Sequence, residues 1–337
     1  MSVTDKSPLI VEANVETFLD THGLGEGPIT ATRIGDGGGS NFTFLIERGD
    51  ERYVLRRPPR PPLPPSAHDM VREAKLQDAI RDAGFTRLAE LLAVCEDESV
   101  LGVPFYVTRY IDGHVVTNEL PSDLDDPFAL GMDLVDTLRE IHTANVTHPA
   151  LAAFARPGNY NERQVHRFTQ LWEINKTREL QPVEEVGTYL AAHIPEQIGP
   201  TVVHGDYRLG NMMTVGNRIV AVLDWEMGAI GDPRADVGYL LATYTEPNGA
   251  QSPLGSSPVT GEPGFPSRAD LVARYGDVGP LAWFEALALW KAAVFCEAIY
   301  GRYIRGELAP EDTLAARFET GVPLLAETAL KRLGNGA

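Results

Sequence analysis

The sequence predicts an α+β chain of two lobes: a small N-terminal antiparallel β lobe over residues 1–110 and a larger, mainly α-helical lobe over 111–337. Residues 30–111 carry short strand-like apolar runs separated by glycine and acidic turns. From about Ser122 the apolar spacing becomes helical and stays so, with one interruption near 201–226. A length of 337 residues accommodates two moderate cores more readily than one.

Taken in order, residues 9–21 place apolar groups at helical spacing, and Gly23 and Gly25 stop that helix. Residues 30–34 and 41–47 read as strands around Gly35, Asp36, Gly37, Gly38, Gly39 and Ser40. Such a turn lets backbone N–H groups approach phosphate oxygens without side-chain obstruction, although many ordinary hairpins contain as many glycines. Residues 53–56 form a third strand ending in Arg56, with Arg57 beside it. Six prolines between Pro58 and Pro65 preclude helix and make a stiff connector. The helix that follows, 69–83, carries Glu73 in its first turns. Two further strands, 87–95 and 103–111, flank the acidic turn Glu96, Asp97 and Glu98, and Asp112-Gly113 ends the pattern.

In the second lobe Leu130, Leu134, Leu138 and Ile141 form an apolar stripe that ends at His142, a residue expected to be structural. Residues 161–180 and 183–194 are the next helices. Residues 246–266, rich in Gly, Pro and Ser, read as a long mobile loop. Ser267 with Asp270 three residues on is a helix N-cap signature, and helices over 267–276, 280–305 and 311–332 complete the lobe. The aromatic residues of 280–305 are expected in the core, with an acceptor pocket as the other reading.

The interruption, 201–226, carries the chemistry. An apolar run leads into His204-Gly205-Asp206, and Asn211 follows five residues after Asp206. Residues 212–215 and 219–223 read as strands joined by a turn at Gly216-Asn217, and the second ends in Asp224. Asp206, Asn211 and Asp224 are short-armed oxygen donors at strand ends and in a loop, where they can converge. Phosphoryl transfer needs a carboxylate at the attacking hydroxyl and a few hard oxygens for Mg²⁺. A lone His-Gly-Asp says little, but the spaced set of three is specific.

The order Asp206, Asn211, Asp224 is that of protein kinases, with His-Gly-Asp and Asp-Trp-Glu in place of their usual triplets. In this form the stretch resembles the aminoglycoside phosphotransferase family of small-molecule kinases. The run from Asp206 to Asn211 is similar to the branch attached to some acyl-CoA dehydrogenases. The resemblance covers about residues 30–330 and implies a bilobal protein-kinase-like fold and transfer of the γ-phosphoryl of ATP (or GTP) to a small-molecule hydroxyl. It implies Asp206 as catalytic base, with Asn211 and Asp224 holding Mg²⁺. Nucleotide contacts are implied at Gly35, Gly37, Gly38, Ser40, at Arg56 paired with Glu73, and at Arg109 and Tyr110 in the hinge. Asp236 is implied as a buried structural carboxylate. The branch points to a hydroxyacyl acceptor or its CoA thioester; aminoglycosides and other cationic amino alcohols are the alternative.

Composition narrows the partners. The net charge is −18, with −6 over residues 1–103 and −12 over the remainder, so nucleic-acid and anionic-membrane binding are not expected. The acidic second lobe is either a solvated surface or an attraction for a cationic substrate. The most apolar helix candidate is broken by Glu285, Lys291 and Glu297, so no membrane span is expected. A polar start and two widely separated cysteines, Cys95 and Cys296, lead to the expectation of a cytoplasmic protein with free thiols. The rivals are a non-catalytic nucleotide-binding scaffold and a metal-dependent hydrolase built on His204, Asp206 and Asp224.

Overall fold

The computed structural model describes residues 8–35, 41–60, 68–249, 252–307 and 313–334. Gly37, Gly38, Ser40 and most of the proline cluster lie outside them. The chain divides into two compact units, one of residues 1–82 and 88–112 and one of residues 83–87 and 113–337.

The first unit begins with α1 (Glu12–Thr21) and continues through β1 (Thr30–Ile34), β2 (Phe42–Arg48), β3 (Glu51–Arg57) and α2 (Met70–Asp82). β4 (Leu91–Cys95), the single turn α3 (Glu98–Leu101) and β5 (Phe105–Arg109) complete it. The strands form one antiparallel sheet in the order β1-β2-β3-β5-β4. Strand alternation assigns its two faces. Tyr53, Leu55, Phe105 and Val107 join Val15 and Leu19 of α1 in one core, whereas Tyr106, between the last two strand residues, packs on Met70 and Ala74 of α2.

The same alternation separates Arg56 from Arg57. Arg57 is buried on the α1 side and donates to the carbonyls of Leu9 and Pro58, and burial, with the nearby Arg60, lowers its pKa to about 10. Arg56 faces α2, with Nε 3.4 Å from Glu73.

The second unit opens with β6 (His114–Val115), α4 (Pro127–His142), α5 (Pro149–Ala152), α6 (Tyr160–Asn175) and α7 (Gln181–Ala192). β7 (Thr201–Val203), β8 (Met212–Val215), β9 (Arg218–Val222) and β10 (Ala229–Gly231) follow. It closes with α8 (Arg234–Thr243), α9 (Arg268–Tyr275), α10 (Ala282–Ile304) and α11 (Thr313–Gly334). β6, β8 and β9 make one small sheet, and β7 pairs with β10 in another. Side chains set the helix starts: Asp126 accepts from Ala129 N–H, Asn159 from Asn161 N–H, and Ser267 and Asp270 cap α9 reciprocally.

α10 is the axis of this unit. Phe284, Leu287, Leu289, Trp290 and Val294 are buried among α6, α7 and α11. Trp290 Nε1 donates to the Val183 carbonyl at 3.0 Å, and Trp283 Nε1 to that of Leu190 at 3.3 Å. The aromatic residues at its start are therefore core, while Phe295 is exposed. Among the described residues no helix is long and apolar enough to cross a membrane.

Residues 83–87 belong to the second unit because Arg87 is anchored there. Its guanidinium meets Asp133, Glu140, Thr137 Oγ1 and the Ile219 carbonyl, and its own carbonyl accepts from Val222 N–H. The strand expected over 87–95 accordingly starts only at Leu91. The described residues of 246–266 are also better tied than their composition suggests. Thr260 Oγ1 accepts from Thr245 N–H and donates to the Thr245 carbonyl, and Tyr244 Oη donates to the Pro266 carbonyl at 2.6 Å.

Candidate active site

β7 delivers the chain to His204, whose ring has no solvent access. Its Nδ1 accepts the Asp206 N–H at 3.2 Å and its Nε2 lies 2.9 Å from the Leu223 carbonyl. With Nδ1 as acceptor and Nε2 as donor, the ring braces the loop from inside. Gly205 turns the chain at φ +85°, and a Cβ there would sit 2.8 Å from Met227 Cβ, so glycine is required on both counts.

Asp236, in the first turn of α8, is wholly buried. It accepts N–H groups from His204 at 2.7 Å and Gly205 at 2.8 Å, and His142 Nε2 approaches at 3.3 Å. His142 is held in turn by Tyr275 Oη at 2.6 Å from its Nδ1. Burial pulls the Asp236 carboxyl upward, but the His142 hydrogen bond and charge, His204 and the Gly205 N–H outweigh it and leave the pKa lowered.

Asp206 Oδ2 accepts from Asn211 Nδ2 at 2.8 Å, and the same nitrogen donates to the Asp206 carbonyl at 2.8 Å. Both bonds use the amide nitrogen, so Asn211 offers its carbonyl oxygen to a cation. The Asn211 backbone carbonyl accepts from Leu223 N–H at 2.8 Å, which brings Asn211 beside the strand end that carries Asp224. Asp224 itself is left-handed at φ +63°, a conformation uncommon for a residue with a side chain and one that redirects its carboxylate at the end of β9. One carboxylate and one amide oxygen are the hard donors Mg²⁺ takes when water and phosphate supply the rest. The donor set therefore fits that ion.

Arg208 Nε lies 3.4 Å from Asp206 Oδ1 and its Nη1 donates to the Ser256 carbonyl at 3.1 Å, which ties the loop after β7 to Ser256. Tyr239 of α8 is a neighbour the sequence did not single out. Burial, and after it the adjacent Asp206 carboxylate, hold its phenol well above the usual range. Nothing in the spacing distinguishes it from any other aromatic residue on an apolar helix.

Of the residues expected to hold nucleotide, Glu73 is buried and also accepts from Tyr106 Oη at 3.0 Å, which fixes the carboxylate that Arg56 meets. Gly35 has φ +84°, and among the described residues nothing stands within 4 Å of where its Cβ would be. Arg109 directs its guanidinium to Glu90 at 2.7 Å and Glu51 at 3.7 Å, and its N–H donates to the Glu90 carbonyl. Tyr110 N–H donates to the Arg52 carbonyl, and its ring lies under the Arg52 guanidinium. Both of these N–H groups are engaged inside the first unit.

These features define a kinase-like phosphotransferase, and the comparisons agree. The family model for the phosphotransferase enzyme family (APH) matches residues 30–255, and the chain belongs to that family. It is 29% identical over 335 residues to human acyl-CoA dehydrogenase family member 11, covering 94% of this chain and 42% of that protein. Mouse acyl-CoA dehydrogenase family member 10 is 33% identical over 242 residues, covering 71% of this chain and 22% of that protein. The chain thus spans less than half the length of these relatives.

Among solved structures, a protein of Ralstonia eutropha JMP134 ascribed to the aminoglycoside phosphotransferases superposes with a TM-score of 0.75 at 25% identity, covering 95% of this chain and 98% of that one. Spectinomycin phosphotransferase APH(9)-Ia, solved with ADP and spectinomycin, shares the fold with a TM-score of 0.62 at 12% identity, covering 96% and 99%.

Proposed function

We propose that this chain is a small-molecule kinase that transfers the γ-phosphoryl group of ATP (or GTP) to the hydroxyl of a hydroxyacyl compound or of its CoA thioester. The observation that carries the reading is the Asp206 carboxylate fixed by Asn211, with Asp224 brought alongside by the bond between Leu223 N–H and the Asn211 carbonyl. Asp206 would orient the acceptor hydroxyl and receive its proton, worth about 10²–10⁴ in rate. Asn211 and Asp224 would hold Mg²⁺, which when bound offsets charge on the phosphate oxygens. The Arg56–Glu73 pair would set the cation that grips the nucleotide phosphates, while Arg57, turned to the other face of the sheet, would serve stability.

The hydroxyacyl acceptor is supported by similarity to acyl-CoA dehydrogenase family members, over 94% of the chain for member 11 and 71% for member 10. Aminoglycosides form the second reading, favoured by fold neighbours solved with kanamycin and with hygromycin B. We place the protein in the cytoplasm on its two free thiols, and away from nucleic acid and membranes on its charge of −18. ADP release from Mg-ATP against hydroxyacyl-CoAs, free hydroxy acids and aminoglycosides, with Asp206→Asn as control, tests the reading. Release that needs a hydroxyacyl acceptor and vanishes in the variant is expected; turnover of aminoglycosides alone would remove the hydroxyacyl assignment.

A further inference from the structure

Both oxygens of the Asp206 carboxylate are occupied or covered. Oδ2 accepts from Asn211 Nδ2 at 2.8 Å. Oδ1, the oxygen left to receive a proton, has no contact with solvent and accepts no well-formed hydrogen bond among the described residues. Arg208 Nε is set against it at 3.4 Å, and the Tyr239 phenol adjoins the same carboxylate. A buried carboxylate oxygen without an aligned donor is costly. Elsewhere in this unit arginines clamp carboxylates closely: Arg234 meets Asp232 at 2.7 Å, Arg87 meets Asp133 at 2.9 Å and Arg178 meets Glu297 at 3.0 Å. Arg208 covers its carboxylate without clamping it.

The far end of the guanidinium is held elsewhere. Nη1 donates to the Ser256 carbonyl at 3.1 Å and lies over Gly210, where a Cβ would collide with it. The Arg208 side chain is 24% exposed, so it can leave toward solvent without unpacking a core.

We propose that Arg208 is a displaceable cap on the catalytic base, closing Asp206 Oδ1 to water and yielding it to the acceptor hydroxyl. The inference rests on the small-molecule kinase reading and adds to it how the site favours acceptor over water. Once the hydroxyl replaces Nε at Oδ1, its proton passes to Oδ1 and its oxygen bonds the γ-phosphorus. The bond from that phosphorus to the bridging oxygen breaks, and ADP leaves. Water in the same place would give ADP and inorganic phosphate. An acceptor has contacts along its whole length to set against the Ser256 bond and the ion pair, whereas a water molecule has none. Arg208 is thus a positioning residue that acts through Asp206.

The test uses the full chain with Mg-ATP and no acceptor. Arg208→Met removes the cap. Gly210→Ala keeps the charge but evicts the guanidinium; it should fold, because the nearest obstacles to its Cβ are the free end of Arg208 and Thr117 Cγ2 at 3.3 Å. Both variants should release ADP about tenfold faster than wild type, a part of what a positioned base contributes, and adding Asp206→Asn to either should abolish the gain. An arginine that only braced the loop, or that gripped the transferred phosphoryl group, would give slower release when removed. In thermal unfolding without ligand, the shifts of Arg208→Met and Asp206→Asn should be non-additive in the double variant. Additive shifts would remove the contact, and release unchanged or slowed in either variant would overturn the cap. Failure of the kinase reading would show separately, as no phosphorylated product from wild type with any hydroxyacyl-CoA, hydroxy acid or aminoglycoside while the gain in ADP release persists.

Discussion

Asp236, with no exposure to solvent, divides its two oxygens among the His204 and Gly205 N–H groups and the His142 ring. Asp236→Ala should cost about 2–3 kcal/mol, because two buried N–H donors lose their acceptor. Urea unfolding at neutral pH measures it. The folded carboxyl is held below the ordinary value of 3.8, so its contribution is full above that value and is lost as pH falls through the lower, folded pKa. Wild type and Asp236→Ala should therefore converge in stability on acidification below about pH 4, and a gap that widened with acid would contradict this account. The neighbouring arginines should also separate: Arg56→Gln should raise the KM for ATP with little change in melting temperature, whereas Arg57→Gln should lower the melting temperature. Their alternation on β3 was implicit in strand geometry, yet two adjacent arginines in a sequence give no sign of which faces which core.

At the scale of elements, the long strands and helices were legible because each repeats its period several times. Short ones were not. β10 has three residues and β6 two, too few for a pattern, and β10 exists because it pairs with β7, the strand that leads into His204. Asp206, Asn211 and Asp224 could be read from spacing, since the two strands and the turn between them set their separation. Tyr239 could not, because its meaning lies in the packing of α8 against α10 and the rest of the unit. That packing depends on Gly238, where a Cβ would stand 2.6 Å from Phe284 Cβ and 2.7 Å from its backbone carbonyl carbon. Gly238→Ala should force the helices apart at a cost of about 1–3 kcal/mol, visible as a melting temperature several degrees lower. An unchanged melting temperature would show the crossing to be looser than described.

For the whole molecule, the charge of −18 opposes the arrival of an anionic acceptor and favours that of a cationic one. Added salt screens this long-range field. With saturating Mg-ATP, kcat/KM for an anionic acceptor should therefore rise modestly between low and physiological salt, and for a cationic one it should fall. The most direct measurement of the central claim is Mg-ATP-dependent phosphoryl transfer to hydroxyacyl acceptors, followed by ADP release and by mass increase of the acceptor, in wild type and Asp206→Asn. The account predicts a phosphorylated acceptor and ADP in equal amounts from wild type, and a loss of at least about a hundredfold in the variant with Mg-ATP still bound. Equal rates in the two proteins, or ADP without a phosphorylated acceptor, would contradict it.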